Sequence, residues 1–159
     1  MSHFRCLPIP TETGDRWRAT GVDDFGNKLV GMPSDGGAPC RHCLREAAVG
    51  EEMLLGSYRM PSPTGIYWTP SPIFLHAEPC TAYDQADHVP ETVRARLVSV
   101  RAYNADQMCL YDLGQAVEGD DVDPFLARAI SDPRTAFVNI HTAKPGCMLC
   151  RVEAINPVA

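Results

Sequence analysis

No stretch of the chain approaches the ~20 consecutive apolar residues that a membrane span needs. The first ten residues hold no continuous apolar core and are broken by Pro8 and Pro10, so a secretory leader is not expected. No Asn-x-Ser/Thr acceptor occurs, and the reading is a cytoplasmic protein. Lysine is almost missing, found only at Lys28 and Lys144. Arginine supplies the rest of the 14 cations, which stand against 20 acidic residues for a net charge of −6. No basic run interrupts that excess, so the chain has no general attraction to phosphate backbones or anionic lipid. Gly-rich phosphate-cradling motifs of both common types are absent, which leaves nucleotide binding without support. The expected partner is a small molecule or a protein, with no nucleic acid and no membrane.

Repeats, low-complexity segments and linkers are also lacking. The 159 residues, 45% of them apolar, suit a single domain over 1–159 with a proper core. Phe4 to Ile9 reads as a first strand, and Thr11 to Arg18 as a short helix capped by Thr11 with Trp17 turned inward. Lys28 to Met32 reads as an edge strand. Leu44 to Ala48 suggests a turn or two of helix ended by Gly50, and Glu52 to Tyr58 a buried strand. Pro61 to Pro72 carries too many prolines for a regular element. Ile73 to Leu75 is a short strand that leads to His76. A short helix over Pro90 to Arg96 precedes an alternating strand at Val98 to Tyr103, with Met108 to Leu113 as its hairpin partner. Asp123 and Pro124 mark a helix start. Ala136 to His141 and Cys147 to Ile155 are strands joined at Lys144-Pro145-Gly146. Short connections and few long helices point to an α+β fold, mainly antiparallel sheet with a few short helices.

What is plentiful is cysteine. Seven occur, at Cys6, Cys40, Cys43, Cys80, Cys109, Cys147 and Cys150. An odd number cannot all pair within one chain, and in a reducing compartment thiols stay free or bind metal. Cys40-Arg41-His42-Cys43 has the spacing that lets two sulfurs reach one tetrahedral ion, which is half a zinc site. Either His76-x-x-x-Cys80 or Cys147-x-x-Cys150 could complete it. In an extended strand Cys147 and Cys150 point to opposite faces and cannot grip one ion. The preferred ligand set is therefore Cys40, Cys43, His76 and Cys80, with zinc as the cofactor. A set of inert buried cysteines is the structural alternative.

A thiol-dependent enzyme or redox protein using Cys40 is the chemical alternative. Arg41 and His42 adjoin that thiol, and positive charge favours thiolate. No βαβ unit surrounds the motif, so a thioredoxin-like arrangement is unsupported. Leu44 follows the second cysteine where covalent haem would require histidine. A Cys–His dyad would draw on Cys40 or Cys147 with His76 or His141, but residue types alone do not make one. His141 is expected to be half-exposed, and His3 and His88 to lie at the surface. Glu118, Asp120, Asp121 and Asp123 lack the ligand order of a calcium loop and read as solvated carboxylates ahead of a helix.

Five phrases together resemble a known group: Ile9-Pro-Thr-Glu-Thr13, Pro39-Cys-Arg-His-Cys-Leu44, Gly50-Glu-Glu-Met-Leu-Leu55, Pro72-Ile-Phe-Leu-His-Ala77 followed by Cys80, and Gly146-Cys147 with Arg151. They are similar to the domain-of-unknown-function family numbered 1203. The resemblance implies a single-domain bacterial protein near this length. It brings no reaction, so catalytic residues stay unnamed. The resulting expectation is a binding domain for a small molecule or a protein, locked by a structural zinc-type Cys/His site.

Overall fold

The computed structural model describes residues 3–155. They form two antiparallel sheets and a few short helices, so the expected α+β class holds. The chain groups into two compact units. The first takes the described residues up to Leu7, Gly65–Tyr67 and those from Asp84 onward; the second takes Pro8–Thr64 and Trp68–Tyr83.

The first unit is built on five strands: β1 (Phe4–Leu7), β5 (Leu97–Tyr103), β6 (Gln115–Glu118), β7 (Phe137–Thr142) and β8 (Met148–Ala154). Their order is β1-β8-β7-β5-β6, and every pair is antiparallel. Alternation along β5, β7 and β8 puts Val98, Val100, Ala102, Val138, Ile140 and Val152 on one fully buried face. Helix α3 (Asp123–Ser131) buries Leu126, Ala129 and Ile130, spaced as one helical stripe. The short α2 (Glu91–Arg94) meets a single turn at Gly119–Asp121 so closely that only glycine fits. A Cβ on Gly119 would sit 1.8 Å from the Val93 carbonyl oxygen.

The second unit holds α1 (Thr11–Thr20) and the three-stranded sheet β2 (Val30–Pro33), β3 (Glu52–Tyr58) and β4 (Ser71–His76), in the order β2-β3-β4. Trp17 is fully buried, as its position on α1 predicts, and its indole N–H donates to Asp24 Oδ1 at 2.9 Å. Its ring occupies the space over Gly56 of β3, where a Cβ would meet Trp17 Cζ3 at 2.7 Å. Asp23 ties the following turn to β3. Its carboxylate accepts from the Phe25, Asn27 and Ser57 backbone N–H groups and from the Asn27 amide.

Several local expectations fail for identifiable reasons. Leu44–Ala48 is not helical: Leu44 has φ 54°, a left-handed geometry that ends any right-handed turn. Thr11 does not cap α1; it is the first helical residue, and Pro10 stands before it without a side-chain bond. Asp123 likewise opens α3 from within, after Val122. Met108–Leu113 is not the hairpin partner of β5. It makes one bridge, Tyr103 to Cys109, then a 3-10 turn at Tyr111–Leu113, and β6 takes the partner's place. His141 is buried rather than half-exposed, because β7 is covered on both faces along its whole length.

Candidate metal centre

The Cys40–Cys43 turn is shaped by its own backbone. The Leu44 N–H donates to the Cys40 carbonyl at 3.0 Å, and the Cys40 N–H donates to the Arg45 carbonyl at 3.1 Å. The left-handed Leu44, itself 1% exposed, turns the chain back so that both thiols face one side. This turn then lies along β4. Cys40 bridges Phe74 in parallel, and the Arg41 N–H donates to the Phe74 carbonyl at 3.1 Å. That pairing carries the two thiols to the end of β4, where His76 stands. The chain leaves β4, reaches Cys80 and is tied back when the Tyr83 N–H donates to the His42 carbonyl at 3.0 Å.

The result is a cluster. One donor atom from each of Cys40, Cys43, His76 and Cys80 lies within 4.8 Å of all the others. Cys40 Sγ is 3.8 Å from Cys80 Sγ, and Cys43 Sγ is 3.6 Å from His76 Nδ1. Tetrahedral zinc, with Zn–S of about 2.3 Å and Zn–N of about 2.0–2.1 Å, places sulfurs about 3.8 Å apart and sulfur and nitrogen about 3.6 Å apart. The first three residues are buried and Cys80 is partly exposed. All four residues of the preferred ligand set are thus brought together. Cys147 and Cys150 take no part in this cluster: Cys150 is buried within β8, and Cys147 precedes that strand. His141 is engaged elsewhere, its Nδ1 being 2.8 Å from the Gly146 carbonyl oxygen.

The thiols share their protons unequally. Cys40 is driven well below the usual thiol range by hydrogen bonds from Cys43 and then Cys80. Those same bonds to Cys40 push Cys43 and Cys80 upward.

The surroundings contain groups that spacing alone does not reveal. Glu51, next to β3, sets Oε2 3.0 Å from His76 Nε2, while Nδ1 faces the sulfurs. His42 places Nδ1 3.2 Å from Cys80 Sγ, and the Thr11 hydroxyl lies 2.9 Å from its Nε2. Burial lowers the His42 pKa, which favours the neutral ring. Arg18 donates from Nε and Nη2 to the His76 carbonyl at 3.2 and 3.1 Å, which adds a cation beside the cluster. Glu51 was legible only from pairing: β3 and β4 run antiparallel with Met53 opposite His76, so the residues just before β3 must lie near the end of β4.

The family model described as a protein of unknown function (DUF1203) matches residues 37–154, and the chain belongs to that family. The match covers the Cys40–Cys43 turn, His76 and Cys80, whereas the Ile9–Thr13 phrase falls outside it. No curated protein and no solved structure matches the chain.

Proposed function

We propose that Cys40, Cys43, His76 and Cys80 hold one zinc-type ion in a structural role, and that the protein is a binding domain for a small molecule or a protein. The observation that carries this reading is metric: four donor atoms drawn from separate segments lie within 4.8 Å of one another, and the Cys40–Cys80 and Cys43–His76 separations match edges of a zinc tetrahedron. Three sulfurs and one imidazole suit zinc and disfavour the hard cations that take oxygen ligands. When bound, the ion contributes charge neutralisation and crosslinking of the turn, the end of β4 and the Cys80 segment. Four protein ligands complete the tetrahedron, which leaves no position for an activated water and favours a structural over a catalytic site.

The neighbours fit that role. Glu51 holds His76 by Nε2, so the ring presents Nδ1, the arrangement by which carboxylates orient metal-bound histidines. Three thiolates and a neutral imidazole around a dication sum to −1, and Arg18 offsets that charge. His42 turns a ring nitrogen to Cys80, where an N–H would stabilise thiolate sulfur.

A thiol-dependent activity at Cys40 is the second reading, favoured by the lowered pKa of that thiol. Its obstacle is access, since Cys40 is 0% exposed. Metal analysis of protein purified without added metal, combined with thiol alkylation, separates the two readings. A stoichiometric ion, lost together with cooperative unfolding on Cys43→Ser, supports the structural site. A metal-free protein that folds normally and whose Cys40 alkylates at low pH supports the thiol reading and sinks the first.

A further inference from the structure

The four residues of the cluster are not equally sheltered. Cys40, Cys43 and His76 are buried, and Cys80 is partly exposed. Cys80 follows β4 in a segment without regular structure, between the exposed Pro79 and Thr81. Cys40 is 0% exposed and sits in a turn fixed by backbone bonds to Leu44 and Arg45 and by its bridge to Phe74. A reagent in solution therefore meets Cys80 first, and a second sulfur stands behind it on a firm support.

That second sulfur is close. Cys40 Sγ is 3.8 Å from Cys80 Sγ, so the pair reaches a disulfide S–S length of about 2.05 Å through a shift of about 2 Å in the irregular Cys80 segment. Cys43 Sγ instead lies against His76 Nδ1 at 3.6 Å. His42 Nδ1 is 3.2 Å from Cys80 Sγ, where a ring N–H can donate to an oxygen added on that sulfur. Metal binding keeps cysteine as thiolate, the form that attacks peroxides.

We propose that Cys80 is an oxidation site for a small hydroperoxide, and that its capture by Cys40 as a disulfide releases the zinc. The inference rests on the structural-zinc reading and adds its regulation. With hydrogen peroxide, the Cys80 thiolate breaks the O–O bond, becomes the sulfenic acid and expels hydroxide. The Cys40 thiolate then attacks the Cys80 sulfur: the S–S bond forms, the S–O bond breaks and a second hydroxide leaves. Two electrons pass from the two sulfurs to the peroxide, and solvent protonates both hydroxides. The ion is left with Cys43 and His76, half a tetrahedron, and dissociates.

The test is treatment of the zinc-loaded full chain with hydrogen peroxide. Zinc release is followed with a chromophoric chelator, thiols are counted after denaturation, and the disulfide is located by peptide mapping. Zinc should leave in step with the loss of two thiols, and the new bond should map to Cys40–Cys80. A dithiol reductant with added zinc should restore the starting state. Cys80→His keeps four ligands but offers no sulfur at the exposed position, and should release zinc at least tenfold more slowly. Cys109→Ser and Cys147→Ser remove the two other partly exposed thiols and should leave the release rate unchanged. Mapping of the unaltered protein decides the matter if Cys80→His fails to hold zinc. Zinc retained while Cys109 or Cys147 oxidises overturns the proposal. So does a disulfide at Cys40–Cys43, or release from a zinc-loaded Cys80→His protein as fast as from the parent. A chain that never loads zinc sinks both readings, whereas zinc that loads and survives peroxide sinks this one alone.

Discussion

Glu51→Gln separates a metal centre from a coincidental cluster, because the two give different magnitudes. The Glu51 side chain is 47% exposed and lies 3.0 Å from His76 Nε2. As a plain surface ion pair it would contribute at most about 1 kcal/mol to stability and nothing to metal affinity. As the group that orients a metal-bound imidazole, its loss costs about 10–100-fold in affinity, or about 1.4–2.7 kcal/mol. Glutamine preserves the shape and one carbonyl oxygen, so the bond that Oε1 accepts from the Ala48 N–H at 2.8 Å can persist and the fold should survive. The assay is competition against a chromophoric zinc chelator at neutral pH, with circular dichroism to confirm the fold. A folded Glu51→Gln protein that binds zinc as tightly as the parent refutes the argument for His76 as a ligand through Nδ1.

Zinc affinity should rise steeply with pH. Bonds to Cys40 push the Cys43 and Cys80 thiols upward, so an ion that binds all three sulfurs is expected to displace protons from both. Below those raised values the ion competes with two protons, and apparent affinity should fall by up to about two decades per pH unit as pH falls; chelator competition at several pH values measures the slope. Asp23→Ala removes the acceptor of three backbone N–H groups and should cost about 2–4 kcal/mol in urea unfolding. Burial raises the Asp23 pKa, but hydrogen bonds, led by that from Ser57, outweigh it and leave the carboxyl below its usual value. The stability it adds is therefore present above the unfolded pKa and is lost as pH falls through the folded one. Asp23→Asn should accordingly flatten the acid limb of the stability profile. Gly119→Ala should destabilise by several kcal/mol, about the size expected when a backbone rather than a flexible side chain must move, and a lowered Tm would report it.

That Cys40, Cys43, His76 and Cys80 would come together was readable because local spacing and strand direction are sequence properties. Cys40-x-x-Cys43 announces a turn, whereas the parity argument against Cys147 and Cys150 assumes one strand through both, and β8 begins only at Met148; the pair stays out of the cluster all the same. Strands β3, β5, β7 and β8 were readable from alternation and apolar runs. What escaped depends on partners distant in sequence. Helix-forming residues at Leu44–Ala48 were overridden by backbone bonds that fold the turn against β4. Met108–Leu113 has strand-like composition, but β5 pairs along its first half with β6, and the nearer segment is left with a single bridge. His141 looks amphipathic in isolation, and only its place on a strand covered on both faces buries it. His42 was read for its charge beside Cys40, whereas its ring turns to Cys80.

Strand β4 is the outermost member of its sheet, and the Cys40–Cys43 turn lies along its free side. Pro72-Ile-Phe-Leu is the kind of apolar ribbon that recruits a neighbouring molecule when its amides are uncovered. The bound ion would thus act as a guard against self-association, fastening a cover over a sticky margin. Starved of zinc, the protein should be lost first to precipitation through that margin, well before its larger sheet comes apart.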